Sequence, residues 1–173
     1  MNNIPSRTLS LSLLSLAFIM LSGCAAAVMT SAKTVKGSES NNVIIVEKTE
    51  PITAIREVTV DTSGLNKDDA EKQKDIADRV TSLLISNLEK KSLYQPKNEE
   101  AFTLTVTVRN MKQDVNERAV YAIVNILNAE KEAIFSFASV ETSEGLRTIN
   151  YIEETFAESA VAEIAKPVPA PAQ

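Results

Sequence analysis

Residues Phe102–Met111 read FTLTVTVRNM. Phe102, Leu104, Val106 and Val108 alternate with Thr103, Thr105, Thr107 and Arg109. A period of two puts one set of side chains in a core and the other in water. Strands of parallel sheets are buried on both sides and lack this alternation, so the stretch belongs to an antiparallel-rich sheet with one wet face. The polar turn KQDVNER follows, and then AVYAIVNIL (Ala119–Leu127), apolar on both faces, which reads as a central strand. NAEKE turns the chain, and AIFSFASVET (Ala133–Thr142) returns as its hairpin partner.

Upstream the period changes. From about Lys67 to Lys91, Ile76, Val80, Leu83, Leu84 and Leu88 fall on one helical face, with Asn66 as a cap and Asp68, Asp69 and Glu71 at the positive end. IREVTV (Ile55–Val60) before it reads as a strand, closed by the turn residues DTSGLN. A last helix, about Ile149–Lys166, repeats Ile152, Phe156, Ala160 and Ile164 every four residues and stops at Pro167. The order β-α-β-β-β-α, with one apolar stripe per helix, predicts an α+β two-layer sandwich over residues 43–166. Both helices pack on one face of the sheet. The short β-branched run VIIV (Val43–Val46) precedes it, bounded by Pro51.

Composition narrows the function. Of 173 residues none is His, one is Cys and none is Trp. The commonest general base and transition-metal ligand is therefore missing, and no thiolate cluster can form. A net charge of −5 and 5% aromatics argue against a nucleic-acid surface. Four glycines are scattered with no phosphate loop. The carboxylate pairs Asp68-Asp69, Glu99-Glu100 and Glu153-Glu154 are adjacent residues at helix starts and turns, which read as solvated faces. Tyr121, among apolar neighbours, reads as packing. No catalytic residue, metal or cofactor is expected.

The single cysteine stands in FIMLSGCAAA (Phe18–Ala27). One cation, Arg7, precedes the uncharged run Leu9–Leu21, and small residues lead to Cys24. This is the layout of a secretory signal peptide, and the run is short for a membrane span. Leu21-Ser22-Gly23-Cys24 resembles the bacterial lipoprotein box. The resemblance implies that Cys24 receives a diacylglycerol, that the peptide of residues 1–23 is cut before it, and that the new amino terminus is acylated with palmitate-like chains. Leu21, Ser22 and Gly23 would then be the residues the signal peptidase reads. Two or three chains suffice for stable anchoring at about 0.8 kcal/mol per buried CH₂. Ala25 after the cysteine, where inner-membrane retention favours Asp, implies the periplasmic face of the outer membrane. Loss of Arg7 would leave 17 basic and 23 acidic residues, a net charge of −6.

Residues 24–42 then read as a lipidated cysteine and flexible tether, and PVPAPAQ (Pro167–Gln173) as a Pro-rich disordered tail. Lipobox, tether and small α+β domain together resemble uncharacterised envelope lipoproteins, the lipoprotein activators of peptidoglycan synthases, curli-secretion lipoproteins and the amino-terminal domain of the Tol-system propeller protein. That resemblance implies a binding or assembly module for a cell-envelope complex, attached to the membrane and to an envelope protein, without catalysis. A lipid- or glycan-handling transport auxiliary is the alternative, and would need an apolar cavity between sheet and helices. Ala119, Tyr121, Ile123 and Leu127 share one face of their strand, opposite Val120, Ala122, Val124 and Ile126. If both helices cover one side, the other needs cover from VIIV, the tether or a partner. Tyr121, Ile123, Leu127, Phe135 and Phe137 are the candidate partner surface.

Overall fold

The computed structural model describes residues 38–65, 70–113, 117–144 and 151–168. These form β1 (Ser38–Val46), β2 (Ile55–Asp61), α1 (Ala70–Lys90), β3 (Phe102–Gln113), β4 (Glu117–Leu127), β5 (Ala133–Glu144) and α2 (Tyr151–Ile164). The lipobox, Cys24, the tether up to residue 37, the expected cap Asn66, the expected first-turn charges Asp68 and Asp69, and residues 169–173 lie outside the described residues. The fold is α+β: five strands in the order β1-β5-β4-β3-β2, with both helices against one face. β1–β5, β5–β4 and β4–β3 are antiparallel, and β2–β3 is parallel because α1 crosses between them.

The element order gains one strand over the sequence reading. Ser38–Asn42, read as tether, join Val43–Val46 in β1, which pairs with β5 from Ser38↔Ser143 to Val46↔Ser136. A polar stretch of low strand propensity can do this because β5 is itself polar at that end and offers its whole backbone ladder. Neither VIIV nor this part of the tether folds over the sheet. They extend it sideways.

The core lies between the sheet and the helices. Leu104, Val108, Val124, Ile126 and Phe137 on the sheet meet Val80, Leu84 and Leu88 of α1 and Ile152, Phe156 and Ala160 of α2, all at 0% exposure. Each such large aliphatic or aromatic side chain contributes roughly 1.5–3 kcal/mol by burial. The helices are also tied to each other. Arg79 of α1 donates from Nε and a terminal nitrogen to the two carboxylate oxygens of Glu153, both at 2.9 Å, and Glu153 is 0% exposed. The reading of Glu153 as a solvated carboxylate is thereby corrected. Its position on the inner side of the first turn of α2 brings it to Arg79, whose guanidinium is held further above its ordinary pKa chiefly by this bond.

α1 ends without the usual glycine. Leu93 N–H donates to Leu88 O (2.8 Å) and Ser92 N–H to Glu89 O (2.9 Å), the two closing bonds of a Schellman motif. Ser92 occupies its left-handed position at φ 59°. Left-handed backbone costs a residue with a Cβ about 1–2 kcal/mol. Ser92→Gly is therefore expected to raise the urea midpoint, with a gain of about 0.5–1 kcal/mol after glycine's greater unfolded entropy is subtracted. Arg79→Ala leaves Glu153 buried without its counter-charge. An unfolding titration is expected to show a loss of about 1–3 kcal/mol, below the fully buried case because Arg79 is itself part-exposed. An Arg79→Met, Glu153→Leu double variant should recover most of that loss.

Candidate functional site

The sheet face turned away from the helices is where the sequence-predicted surface residues must be placed. Cα partners on this side form rows across the strands: Val43–Ala138–Ile123–Thr107, and next to it Asn41–Val140–Tyr121–Asn110. Tyr121 is 38% exposed, and Ile123 and Leu127 are half-buried. Toward β2 the face turns polar, with Thr103, Thr105 and Thr107 on β3. Within it Ser136 Oγ donates to Asn125 Oδ1 (2.6 Å) and Asn125 Nδ2 to Thr105 Oγ1 (3.5 Å). The uncovered face thus has an apolar half over β1, β5 and β4 and a polar half over β3 and β2.

Three of the five candidate residues, Tyr121, Ile123 and Leu127, do share this face. Phe135 and Phe137 do not. β5 registers on β4 with Phe135 opposite Ile126 and Phe137 opposite Val124, which turns both phenylalanines toward the helices at 3% and 0% exposure. Their rings pack 5.3 Å apart. They are core, and the partner surface loses them.

The sequence reading missed what lies beside that face. β1 is an edge strand whose outer hydrogen-bonding side is unpaired among the described residues. Val43, Ile44 and Ile45 are 56%, 42% and 57% exposed. The register slips between Ile44 and Val46, so this stretch bulges where it is most apolar. Natural edges are usually blunted by charge, proline or brevity. β2, the other edge, has seven residues with Arg56, Glu57 and Asp61 among them, whereas β1 has nine with Glu39 alone charged. The signal was present in the sequence as VIIV, an uncharged β-branched tetrapeptide.

Below the bulge the chain is pinned. Lys48, 6% exposed, donates from Nζ to the carbonyls of Ile164 (2.7 Å) and Lys166 (2.6 Å), closing the C-terminus of α2. Its ammonium sits 4.8 Å from the Phe135 ring centre. Burial holds its pKa below the usual lysine value, opposed by Glu163 and reinforced by Lys166. The open apolar edge is therefore mounted on a fixed support.

Among the described residues no cluster of three His, Cys, Asp or Glu side chains is placed to hold a metal. No protein-family model and no curated protein matches the chain. Among solved structures, two crystal forms of the PelC dodecamer from Paraburkholderia phytofirmans are similar in fold. One, a point variant in space group C2, has a TM-score of 0.55 at 9% identity, covering 75% of this chain and 98% of that one. The other, in space group P6, has 0.53 at 10% identity, covering 76% and 99%.

The two faces of the hairpin separate by mutation. Phe137→Ala is expected to cost about 3–5 kcal/mol in chemical unfolding, as for any buried phenylalanine. Ile45→Lys, on the exposed edge, should move stability by no more than about 0.5 kcal/mol. If Phe137→Ala leaves the unfolding midpoint unchanged, the placement of the phenylalanines in the core is wrong.

Proposed function

We propose that this chain is a lipoprotein anchored through Cys24 at the periplasmic face of a bacterial outer membrane, where it acts as an assembly module of a cell-envelope complex. Its contact surface is the β1 edge with the apolar half of the uncovered sheet face, and the first partner it takes is a second copy of itself. The observation that carries this is the exposed, uncharged Val43–Ile45 edge continuous with Tyr121. Edge strands with free backbone groups and apolar side chains pair readily with another chain. The lipobox at Leu21–Cys24 supports the anchor. The fold neighbours support self-association, since both are dodecamers.

The second reading, a lipid- or glycan-handling auxiliary, has no observation in its favour. Where a lipid cavity would open, Leu104, Val124, Phe137 and Phe156 fill the layer between sheet and helices at 0% exposure.

Two measurements test the two halves of the proposal. Metabolic labelling with a fatty acid should mark the wild-type chain, and Cys24→Ser should be unlabelled and keep residues 1–23. A labelled Cys24→Ser chain ends the anchor reading. The native mass of the detergent-extracted protein should be a multiple of one chain, and Ile45→Lys or Ile123→Lys should shift it toward the monomer with the fold intact. A wild-type chain that stays monomeric at all concentrations ends the self-association reading.

A further inference from the structure

We propose that the groove between β1 and α2, on the opposite side of the sheet from the contact face, is a binding site for a primary ammonium group. The groove has a volume of about 580 Å³ and is lined by Ser40 and Asn42 of β1, Glu141 of β5 and the polar flank of α2. It exists because β1 presents short side chains toward the helices. Ser40 and Asn42 lie opposite Glu141 and Ser139; α2 reaches Asn42 but leaves Ser40 exposed.

Beside the groove two acceptors are buried without a hydrogen-bond partner, as are the Ser139 and Ser143 hydroxyls on the same face of β5. Glu141 is 0% exposed; Ser40 Oγ donates to its Oε2, and its Oε1 is buried with no hydrogen-bond partner. Asn42 donates from Nδ2 to Ser159 Oγ (3.4 Å) and Glu163 Oε2 (3.2 Å), and its Oδ1 is likewise buried and unpaired. Pairing of Asn42 with Ser139 and of Ser40 with Glu141 places the two acceptors on adjacent strands and the same face, as diagonal neighbours. A buried carboxylate is costly unless paired and fully hydrogen-bonded, and each orphaned acceptor in a folded protein calls for a physical reason.

The remaining walls indicate the charge of the missing partner. Glu158 and Glu163 join Glu141, against one cation, Lys166. Lys166 is already engaged, with Nζ 2.7 Å from Glu163 Oε2. The seam also shows the chemistry it accepts. At its lower end the ammonium of Lys48 satisfies the α2 carbonyls and that of Lys166 satisfies Glu163. The upper end keeps the acceptors, Asn42 Oδ1, Glu141 Oε1 and exposed Glu158, without an ammonium. Three N–H donors and one positive charge fit that set. Among the described residues no third carboxylate converges with another pair as a hard divalent cation would require. Ser40, whose Oγ bonds Glu141 Oε2, is exposed at the groove mouth. The ammonium can come from a small amine or from a lysine side chain of a peptide.

The test is thermal unfolding and calorimetric titration of the full chain in detergent micelles at constant ionic strength. Butylammonium chloride and the peptide acetyl-Ala-Lys-Ala-amide are the probes. Tetramethylammonium chloride, a cation without N–H donors, is the control. Saturable binding with a raised melting temperature is expected for the probes and not for the control, and the tighter probe identifies the source. Glu141→Gln should weaken binding by about tenfold or more. Should that variant not fold, Glu158→Gln on the exposed rim should still weaken it. Any of three binding results overturns the proposal: equal shifts with all three compounds, undiminished affinity in Glu158→Gln, or a larger shift with calcium chloride. A complete absence of binding also overturns it, and assigns Glu141 to ordered water or to Arg118, its diagonal neighbour on β4. None of these outcomes bears on oligomeric state, so this proposal and the self-association reading fail separately.

Discussion

The two-point ion pair from Arg79 to Glu153 ties α1 to α2 at a place where neither sheet nor solvent could satisfy the carboxylate. The pair requires the helices to lie side by side on one face. Two helices about 10 Å in diameter then match the width of five strands spaced about 4.8 Å apart. α1 rests on β2, and α2 on β4, β5 and β1. Among the described residues, no further element is left over to cover the second face. The uncovered sheet follows from how the helices are held together, and is not a local accident of β4 or β5.

The same placement explains why β5 changes character along its length. On its helix side it runs Phe135, Phe137, Ser139, Glu141, Ser143. The phenylalanines lie under the C-terminal half of α2, where Ile164 and Lys48 complete the packing. The polar half lies opposite Ser40 and Asn42, at the edge of what α2 can reach. An all-apolar β5 would have sealed β1 to the core. The actual sequence holds β1 by its backbone ladder and a handful of polar contacts, leaving a groove on one side and an open edge on the other.

Much of this was legible in the residues. Alternation in Phe102–Arg109 and the helical stripes of α1 and α2 are strong periodic signals, and the buried sides match them: Leu104, Val106, Val108, then Ile76, Val80, Leu84 and Leu88. The two faces of β4 and of β5 were also separable within each strand. How β5 mates with β4 was not. A slip of one residue in the turn Asn128–Glu132 exchanges every side chain on β5 between faces. The irregularity that sets the register lies between Ile126↔Phe135 and Leu127↔Ala133, next to a turn with Lys131 at φ 65°, and no periodicity signals either. For that reason the sequence alone groups Phe135 and Phe137 with Tyr121. Ser38–Asn42 were illegible for a different reason. Their strand state comes from a partner more than ninety residues away, not from their own propensity. Glu153 reads as a surface charge because burial of a carboxylate depends on tertiary partners that composition does not reveal, and nothing in the sequence singles out Glu141.

The edges of the sheet differ in a way that matters most if the chain is tethered. β2 is short and charged, while β1 is longer, bulged and apolar. A lone apolar edge in free solution is an aggregation hazard. With Cys24 lipidated as proposed, every copy is confined near one surface, and the residues from Cys24 to Ser38 can span at most about 46 Å at ~3.3 Å each. Confinement on a common surface raises the effective concentration of one edge around another, so a contact too weak to form between free chains can form between anchored ones. It also restricts the products. Anchors that must all reach the same membrane admit closed arrangements whose axis lies along the membrane normal, and disfavour open fibres that would carry anchors away from it. An exposed β1 is then compatible with a well-behaved protein because the anchor limits both where its edge can be and what it can meet.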